Sequence, residues 1–157
     1  MKRLAYLVTH GVTANFLLRG QLTYLRELGF EITVIASPGP DLDAVRERER
    51  VRTIGVSMSR SVRLHEGPRA LVAITAALRE IRPDIVNAST SKAGLLGMIA
   101  SRALRVPRRV YLVRGLRFEG YASAKRTDLA QAERLTSACA TDVVCVSESV
   151  ASILDRE

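Results

Sequence analysis

A polar turn with one lysine follows an apolar run at residues 85–92. The run is strand-like, and the turn ends in Thr90, Ser91 and Lys92, before a helix-like pattern that carries two glycines. In a parallel α/β sheet such a turn lies at the carboxyl edge, where the free N–H groups of a helix attract anions. The phosphate-binding pattern G-x-x-x-x-G-K-S/T is absent, so an ordinary strand–helix connection with a solvated lysine remains an alternative.

A second segment, residues 114–120, combines two arginines, one carboxylate and two glycines. Arg114 and Arg117 suit a phosphate group, because a guanidinium can bind phosphate oxygens in bidentate fashion. Glu119 either pairs with one of these arginines or holds a substrate hydroxyl. The concentration of these residue types in so short a segment favours a binding function over a purely structural one.

The loop after the first apolar run contains His10, Gly11 and Val12. It has a single glycine instead of G-x-G-x-x-G, which argues against a nicotinamide or flavin dinucleotide as the ligand. Gly11 would still let a backbone N–H group approach a phosphate. His10 either acts as an acid or base or is a hydrogen-bonded structural residue, and both interpretations stay open.

The composition indicates one globular domain. The chain has 157 residues, of which 47% are hydrophobic and 25% charged, so it can bury a sizeable core and is not disordered. No apolar run approaches the roughly 20 residues that a membrane-spanning helix needs. Cys139 and Cys145 match no metal or redox spacing, and we expect reduced core thiols in a cytoplasmic protein.

The formal net charge of +8 allows three kinds of anionic partner. These are nucleic acid, an anionic membrane surface and a phosphorylated ligand. Nucleic acid is the least favoured, because four tyrosines and three phenylalanines offer few surfaces for base stacking. The arginines are spread along the sequence, so a general compositional bias is the remaining alternative.

Strand-like and helix-like patterns alternate along the whole chain. Strands are predicted at 4–9, 32–36, 53–56, after Asp84, at 109–113 and at 143–146, the last of them buried. Helices are predicted from an N-cap at Thr13 to Gly29, at 41–50, from Gly67-Pro68 to Arg82-Pro83, from Lys92 to about Leu104, from about Arg126, and after Ser147.

This alternation predicts an α/β fold. About six strands form an open parallel sheet with helices on both faces and right-handed crossovers, in the order 3-2-1-4-5-6. Gly94 and Gly97 are expected to allow close approach of their helix to the sheet or to a neighbouring helix. The residues expected to face inward from that helix are Leu95, Leu96, Ile99 and Leu104.

Several common enzyme templates are missing. The sequence contains no G-x-S-x-G, no H-E-x-x-H and no clustered pair of carboxylates, which removes the usual hydrolase patterns. Asp84 and Asp142 precede their strands and are therefore expected at the opposite edge of the sheet, in structural roles.

Six segments together resemble the N-terminal domain of family 4 glycosyltransferases, which have the GT-B fold. They lie at 16–22, 35–39, 82–86, 92–97, 113–119 and 144–149, in the expected order. Lys-Ala-Gly-Leu-Leu-Gly and Arg-Gly-Leu-Arg-Phe-Glu are the most specific, and they are typical of bacterial capsular and exopolysaccharide enzymes. Relatives commonly carry His-Thr-His-Thr-Pro before the Lys-Ala-Gly, where this chain has Asn-Ala-Ser-Thr-Ser.

The resemblance implies a retaining transfer of a sugar from a nucleotide-sugar to a lipid-linked acceptor, in cell-surface polysaccharide synthesis, without a metal or other cofactor. Residues 1–157 would be a Rossmann-like acceptor-side half, inactive alone, and the donor-binding C-terminal domain would be absent. Gly11 and Val12 would approach the donor diphosphate. The residues that would bind the acceptor are His10, Thr90, Ser91, Lys92, Arg114, Arg117 and Glu119.

The expected location is the cytoplasm, with peripheral docking on the inner face of the plasma membrane, because the net positive charge suits anionic lipids. Two alternatives remain. One is a non-catalytic binding or scaffold module that pairs with a separate donor-domain chain. The other is an unrelated α/β protein that binds a phosphorylated ligand.

Overall fold

The computed structural model describes residues 1–58, 66–115 and 124–155. The elements are β1 Lys2–His10, α1 Gly11–Leu17, α2 Gln21–Glu27, β2 Phe30–Ser37, α3 Pro40–Glu49, β3 Arg52–Gly55, α4 Glu66–Ile81, β4 Ile85–Ser89, α5 Ser91–Ala103, β5 Arg108–Val113, α6 Ala124–Cys139, β6 Asp142–Cys145 and α7 Glu148–Leu154.

All six strands form one parallel sheet in the order β3-β2-β1-β4-β5-β6, which confirms the predicted topology. In the register of the sheet, Tyr6 of β1 lies opposite Asn87 of β4, and Asn87 lies opposite Val110 of β5. Since neighbouring strands in register direct their side chains to the same face, these residues share one face of the sheet.

Helices cover both faces of the sheet, as predicted. Alternate residues of β1 belong to different cores: Leu7 packs in one and Tyr6 in the other. The first core includes Ile74 and Leu78 of α4, and the second includes Leu18 in the α1–α2 connection. Such two-sided burial explains the nearly continuous apolar runs of the central strands.

The predicted single helix between Thr13 and Gly29 is wrong. The chain forms two short helices, α1 and α2, separated at Gly20, which has φ 75°. α1 begins directly after β1, so Thr13 lies inside it and not at its start. The break has a tertiary cause: the carboxylate of Glu49 in α3 accepts hydrogen bonds from the N–H groups of Gly20 and Thr23, each at 3.0 Å. A side chain from another helix therefore caps α2.

The two glycines of α5 lie against the sheet, as predicted. A Cβ atom on Gly94 would be 2.5 Å from Cε2 of Tyr111, and one on Gly97 would be 2.9 Å from Cδ2 of Leu7. Three of the four predicted inward residues face the core: Leu96 is buried, and Ile99 and Leu104 are half-buried and pack against the same core. Leu95 is half-buried and lies outside that cluster. The buried residues of α5 are Ala93, Gly94, Leu96, Gly97, Met98, Ala100 and Ser101. Small residues bring the helix so close that larger side chains are displaced to its flanks.

The sixth strand differs from the prediction of a buried strand. β6 is at the edge of the sheet, where Val143 is 40% exposed and Val144 is 46% exposed, because the strand pairs only with β5. Cys139 is buried as expected, whereas Cys145 is half-buried, and both are free thiols. The predicted cap at Ser147 is confirmed, since its Oγ accepts a hydrogen bond from the N–H of Val150 at 3.3 Å.

Asp84 and Asp142 lie at the amino edge of the sheet and make structural contacts, as predicted. Oδ2 of Asp84 accepts a hydrogen bond from the N–H of Arg3 at 2.7 Å, which ties β4 to β1. Asp142 pairs with Arg108 of β5 at 3.1 Å. Hydrogen bonds from Arg108 and Thr141 lower the pKa of the Asp142 carboxyl. No helix in the described part of the chain is both long and apolar enough to cross a membrane.

Candidate functional site

Hydroxyl groups connect the carboxyl ends of three neighbouring strands. Ser37 at the end of β2 donates its Oγ hydrogen to the carbonyl of Thr9 in β1, at 2.7 Å, and accepts a hydrogen bond from the N–H of Met58 at 3.1 Å. Thr9 in turn places its Oγ1 2.7 Å from Oγ1 of Thr90, just after β4. These contacts hold the loops after β1, β2 and β4 in a defined arrangement.

Thr90 has an unusual backbone conformation, with φ 73° and ψ 142°. A positive φ at a β-branched residue is strained, at a cost of about 1–3 kcal/mol. Thr90 occupies the N-cap position of α5, yet its hydroxyl contacts Thr9 and caps no N–H group of that helix. Its carbonyl accepts a hydrogen bond from Gly94 at 2.7 Å. The predicted turn therefore contains a strained residue, Thr90, whose conformation is stabilised by a contact with Thr9 of the neighbouring strand β1.

The start of α5 is electrostatically suited to an anion. The first turn contains no acidic residue and no side-chain cap, so the partial positive charge of the helix N-terminus is not offset there. Ser91 and Lys92, the first two residues of this turn, are half-buried. Lys92 adds a full positive charge to the same end of the helix.

A cavity of about 410 Å³ lies between the loop after β1 and the loop after β2. It is lined by His10, Gly11, Val12, Ser37, Pro38, Gly39, Pro40, Asp41 and Leu42. The Nε2 atom of His10 is buried, whereas Val12 is exposed. A Cβ on Gly11 would lie 2.9 Å from the backbone nitrogen of Leu42, so the close packing of α1 on α3 requires glycine here. The sequence pattern did not reveal this packing role of Gly11.

The α3 side of this cavity is acidic. The first turn of α3 contains Asp41 and Asp43, which offset the positive end of that helix. Asp41 also accepts a hydrogen bond from Nδ2 of Asn15 in α1, at 2.8 Å. The start of α5 therefore favours an anion, whereas the positive end of α3 is already offset by the carboxylates of its own first turn.

Arg114 directly follows β5 and is half-buried. Its Nε atom is buried and has no hydrogen-bond partner among the described residues, and the same is true of Oδ1 of Asn87. Burial raises the pKa of the Tyr6 phenol, and the positive charge of Arg114 partly opposes that rise. The guanidinium therefore acts electrostatically on Tyr6, which faces the same side of the sheet as Asn87.

Tyr6 and Asn87 were missed as site residues from the sequence. An unpaired buried polar atom costs about 1–3 kcal/mol, so a donor on Arg114 and an acceptor on Asn87 are groups that a bound polar ligand would satisfy. The one signal in the sequence was an asparagine in the middle of the strand, between Val86 and Ala88. Tyr6 gave no signal, since tyrosine is common in strands.

The described site residues lie along one edge of the sheet. His10 is the last residue of β1, Thr90 follows β4 and Arg114 follows β5, and these three strands are adjacent in the sheet. Two of the predicted acceptor-binding residues, Arg117 and Glu119, lie outside the described residues. Within the described part of the chain, no group of three or more His, Cys, Asp or Glu residues could hold a metal ion.

Comparison with curated proteins gives two relatives. The chain is 33% identical over 134 residues to the capsular polysaccharide biosynthesis glycosyltransferase CapM of Staphylococcus aureus, covering 85% of this chain and 34% of that protein. It is 29% identical over 133 residues to the UDP-Gal:alpha-D-GlcNAc-diphosphoundecaprenol alpha-1,3-galactosyltransferase of Escherichia coli, covering 82% and 33%. The chain thus spans about a third of the length of the relatives that it matches.

Solved structures with the same fold include HepE of Anabaena in complex with UDP, with a TM-score of 0.73 and 19% identity, covering 99% of this chain and 40% of that protein. MurG of Acinetobacter baumannii has a TM-score of 0.67 and 11% identity, covering 96% and 42%. The model of the glycosyl transferase 4-like domain matches residues 15–157. This match covers most of the chain, and the chain therefore belongs to the family of glycosyl transferase 4-like domains.

Proposed function

We propose that this chain is the acceptor-side part of a glycosyltransferase that transfers a sugar from a nucleotide-sugar to a lipid-linked acceptor in polysaccharide synthesis. The observation that carries the proposal is the carboxyl edge, where Arg114 has an unpaired buried nitrogen and the start of α5 has no acidic residue. Such an edge suits a phosphate group. The names of the two relatives, one capsular and one acting on a diphosphoundecaprenol sugar, support a lipid-linked acceptor.

In the proposed reaction, the bond between the anomeric carbon of the donor sugar and the nucleoside diphosphate breaks. The acceptor hydroxyl oxygen forms the new bond to that carbon, and its proton passes to the departing nucleoside diphosphate. Arg114 and Lys92 bind the diphosphate of the acceptor, because two positive charges and helix N–H groups stabilise phosphate oxygens. Gly11 and Val12 present backbone N–H groups toward the donor diphosphate. From the family resemblance we expect retention of the anomeric configuration and no need for a metal ion.

The proposal includes a requirement for a second, donor-binding domain. This chain spans about a third of CapM, and residues 1–157 account for one parallel sheet. We propose that the chain alone is inactive and that donor binding needs the partner domain. The net charge of +8 supports peripheral docking on the anionic inner face of the plasma membrane, from the cytoplasm.

The test is a sugar-transfer assay on bacterial membranes with a radiolabelled nucleotide-sugar. It compares the chain alone, the donor-side part of CapM alone, and both together. Activity only in the combined sample supports the proposal. Activity of the chain alone would contradict the proposal that donor binding needs a second domain. No activity in any sample, with membranes that support transfer by intact CapM, would favour a non-catalytic module that pairs with a separate chain.

A further inference from the structure

A second, strongly basic cavity lies at the amino edge of the sheet, opposite the candidate site. Its volume is about 540 Å³, and it lies where α4 and α5 end. The charged residues of its lining are Arg3, Arg79, Arg82, Arg105 and Asp84. We call this cavity the amino-edge pocket. Nothing in the proposed sugar transfer uses it.

One of the four arginines is already paired. Arg3 places its Nε 4.0 Å from Oδ2 of Asp84, and the same oxygen accepts a hydrogen bond from the N–H of Arg3 at 2.7 Å. The other three, Arg79, Arg82 and Arg105, form no ion pair with the described residues. Among the described residues, three guanidinium charges of the pocket therefore have no carboxylate to balance them.

The negative ends of two helices offset only part of this positive charge. α4 ends at Ile81 and α5 ends at Ala103, so both negative helix termini lie near the pocket. Each terminus corresponds to roughly half a negative charge, and the two together offset about one arginine. An excess of about two positive charges remains.

The backbone at Arg82 and Arg105 is left-handed, with φ 50° and φ 54°. Glycine is the residue least strained in this conformation, and the chain has one, Gly29, just past the end of α2. Arg82 and Arg105 are each the second of two arginines three residues apart, and a proline follows directly after Arg82 and two residues after Arg105. Two helices thus present an arginine where glycine would relieve strain.

We propose that the amino-edge pocket binds a ligand with a phosphate or diphosphate group through Arg82 and Arg105, with Arg79 contributing charge. The planar guanidinium binds phosphate oxygens in bidentate fashion, and the excess of about two charges matches a doubly charged anion. The phosphate belongs either to a soluble diphosphate or to a phospholipid headgroup.

The test begins with pyrophosphate as the soluble probe, titrated into the isotopically labelled chain and followed by amide NMR shifts and calorimetry. Shifts are expected at residues 82–84 and 104–106. The double variant Arg82→Gly, Arg105→Gly keeps a residue that favours the left-handed backbone, so the fold is preserved. Its dissociation constant is expected to rise about tenfold or more, the size of a lost charge-assisted contact.

The matched control is Arg50→Gly. Arg50 has the same left-handed backbone, with φ 53°, just past the end of α3, and it is exposed and outside the pocket. Arg50→Gly should keep pyrophosphate affinity for the amino-edge pocket within about twofold of the original chain. An equal loss in Arg50→Gly would show general electrostatic attraction and overturn the proposal.

The second probe is a vesicle, of phosphatidylcholine with or without phosphatidylglycerol, in a sedimentation assay. Binding only to the phosphatidylglycerol vesicles, lost in the double variant and kept in Arg50→Gly, identifies a lipid headgroup as the source. Pyrophosphate binding without vesicle binding identifies a soluble ligand. No binding of either probe, or binding that the double variant retains, would overturn the proposal.

Discussion

Oγ1 of Thr90 lies 2.7 Å from Oγ1 of Thr9, although the two residues are 81 positions apart in the sequence. The same Thr90 oxygen accepts a hydrogen bond from the N–H of Thr9 at 3.2 Å. This double contact holds Thr90 at a positive φ, and it sets where α5 begins relative to the end of β1. The predicted anion site at the start of α5 therefore depends on a residue of another strand.

A double-mutant cycle tests this contact. Thr9→Val and Thr90→Val each remove one hydroxyl at nearly constant volume, and each should lower the free energy of unfolding by about 1–2 kcal/mol. The double variant should lose less than the sum, with a coupling of about 1 kcal/mol, because the two hydroxyls share one hydrogen bond. Urea unfolding measures all four proteins. Strict additivity would mean that the hydroxyl contact contributes nothing to stability.

The carboxylate of Glu49 links α3 to the start of α2. Burial acts to raise its pKa, but hydrogen bonds from Gly20, Arg48 and Thr23 outweigh burial and lower the pKa to about 2, from an ordinary value of 4.5. Since the folded state has the lower pKa, this stabilisation is complete above pH 4.5 and is lost as the pH falls toward 2. Its size is on the order of 3 kcal/mol.

Glu49→Gln should therefore be less stable than the original chain at pH 7 and should lose less stability between pH 4.5 and pH 2. Glu47→Gln, an exposed residue of the same helix, is the matched control and should behave like the original chain. The measurement is the free energy of unfolding in urea across this pH range. Parallel pH profiles for the Glu49 variant and the original chain would contradict the role of the carboxylate.

Gly94 and Gly97 of α5 should respond differently to alanine. At Gly94 the new methyl would meet the ring of Tyr111 at 2.5 Å, and that ring is held by a 2.6 Å hydrogen bond from its hydroxyl to Glu133. At Gly97 the nearest atom is the flexible end of Leu7. Overpacking should cost Gly94→Ala about 1–3 kcal/mol, more than the gain in helix propensity of about 1 kcal/mol.

Thermal unfolding compares the two alanine variants directly. Gly97→Ala should be the milder, because the Leu7 side chain can move away and the same propensity gain applies. A Gly94→Ala protein as stable as the original chain would show that α5 can shift away from Tyr111 without loss.

Arg114→Ala should weaken the binding of a diphosphate-bearing acceptor analogue at the carboxyl edge by about 1.5–3 kcal/mol, since a charge-assisted hydrogen bond is lost. Its folding should change little, because the buried Nε has no partner in the structure. Arg134→Ala, on the exposed surface of α6, is the control. Calorimetry with an undecaprenyl diphosphate analogue of short chain checks both. Equal affinity in all three proteins would assign Arg114 a structural role. Arg117→Ala, at a position outside the described residues, is tested in the same way.

The sequence alone determined the architecture of this protein. Alternating strand-like and helix-like patterns, with right-handed crossovers, were sufficient for the order β3-β2-β1-β4-β5-β6. The close approach at Gly94 and the cap at Ser147 were also readable, because each depends on local residue type. The positions of the loops after β1, β4 and β5 followed from the same topology.

Only the tertiary structure decided how distant residues combine. The break between α1 and α2 depends on Glu49, which lies 29 residues after Gly20, and no local pattern encodes that contact. The exposed β6 depends on its place at the edge of the sheet. The arginines are spread along the sequence. In a parallel α/β fold, however, the C-terminal ends of the helices lie at the same edge of the sheet, the amino edge. The fold therefore collects Arg82 and Arg105 in one pocket, because charge in a folded chain is distributed by topology and not by sequence distance.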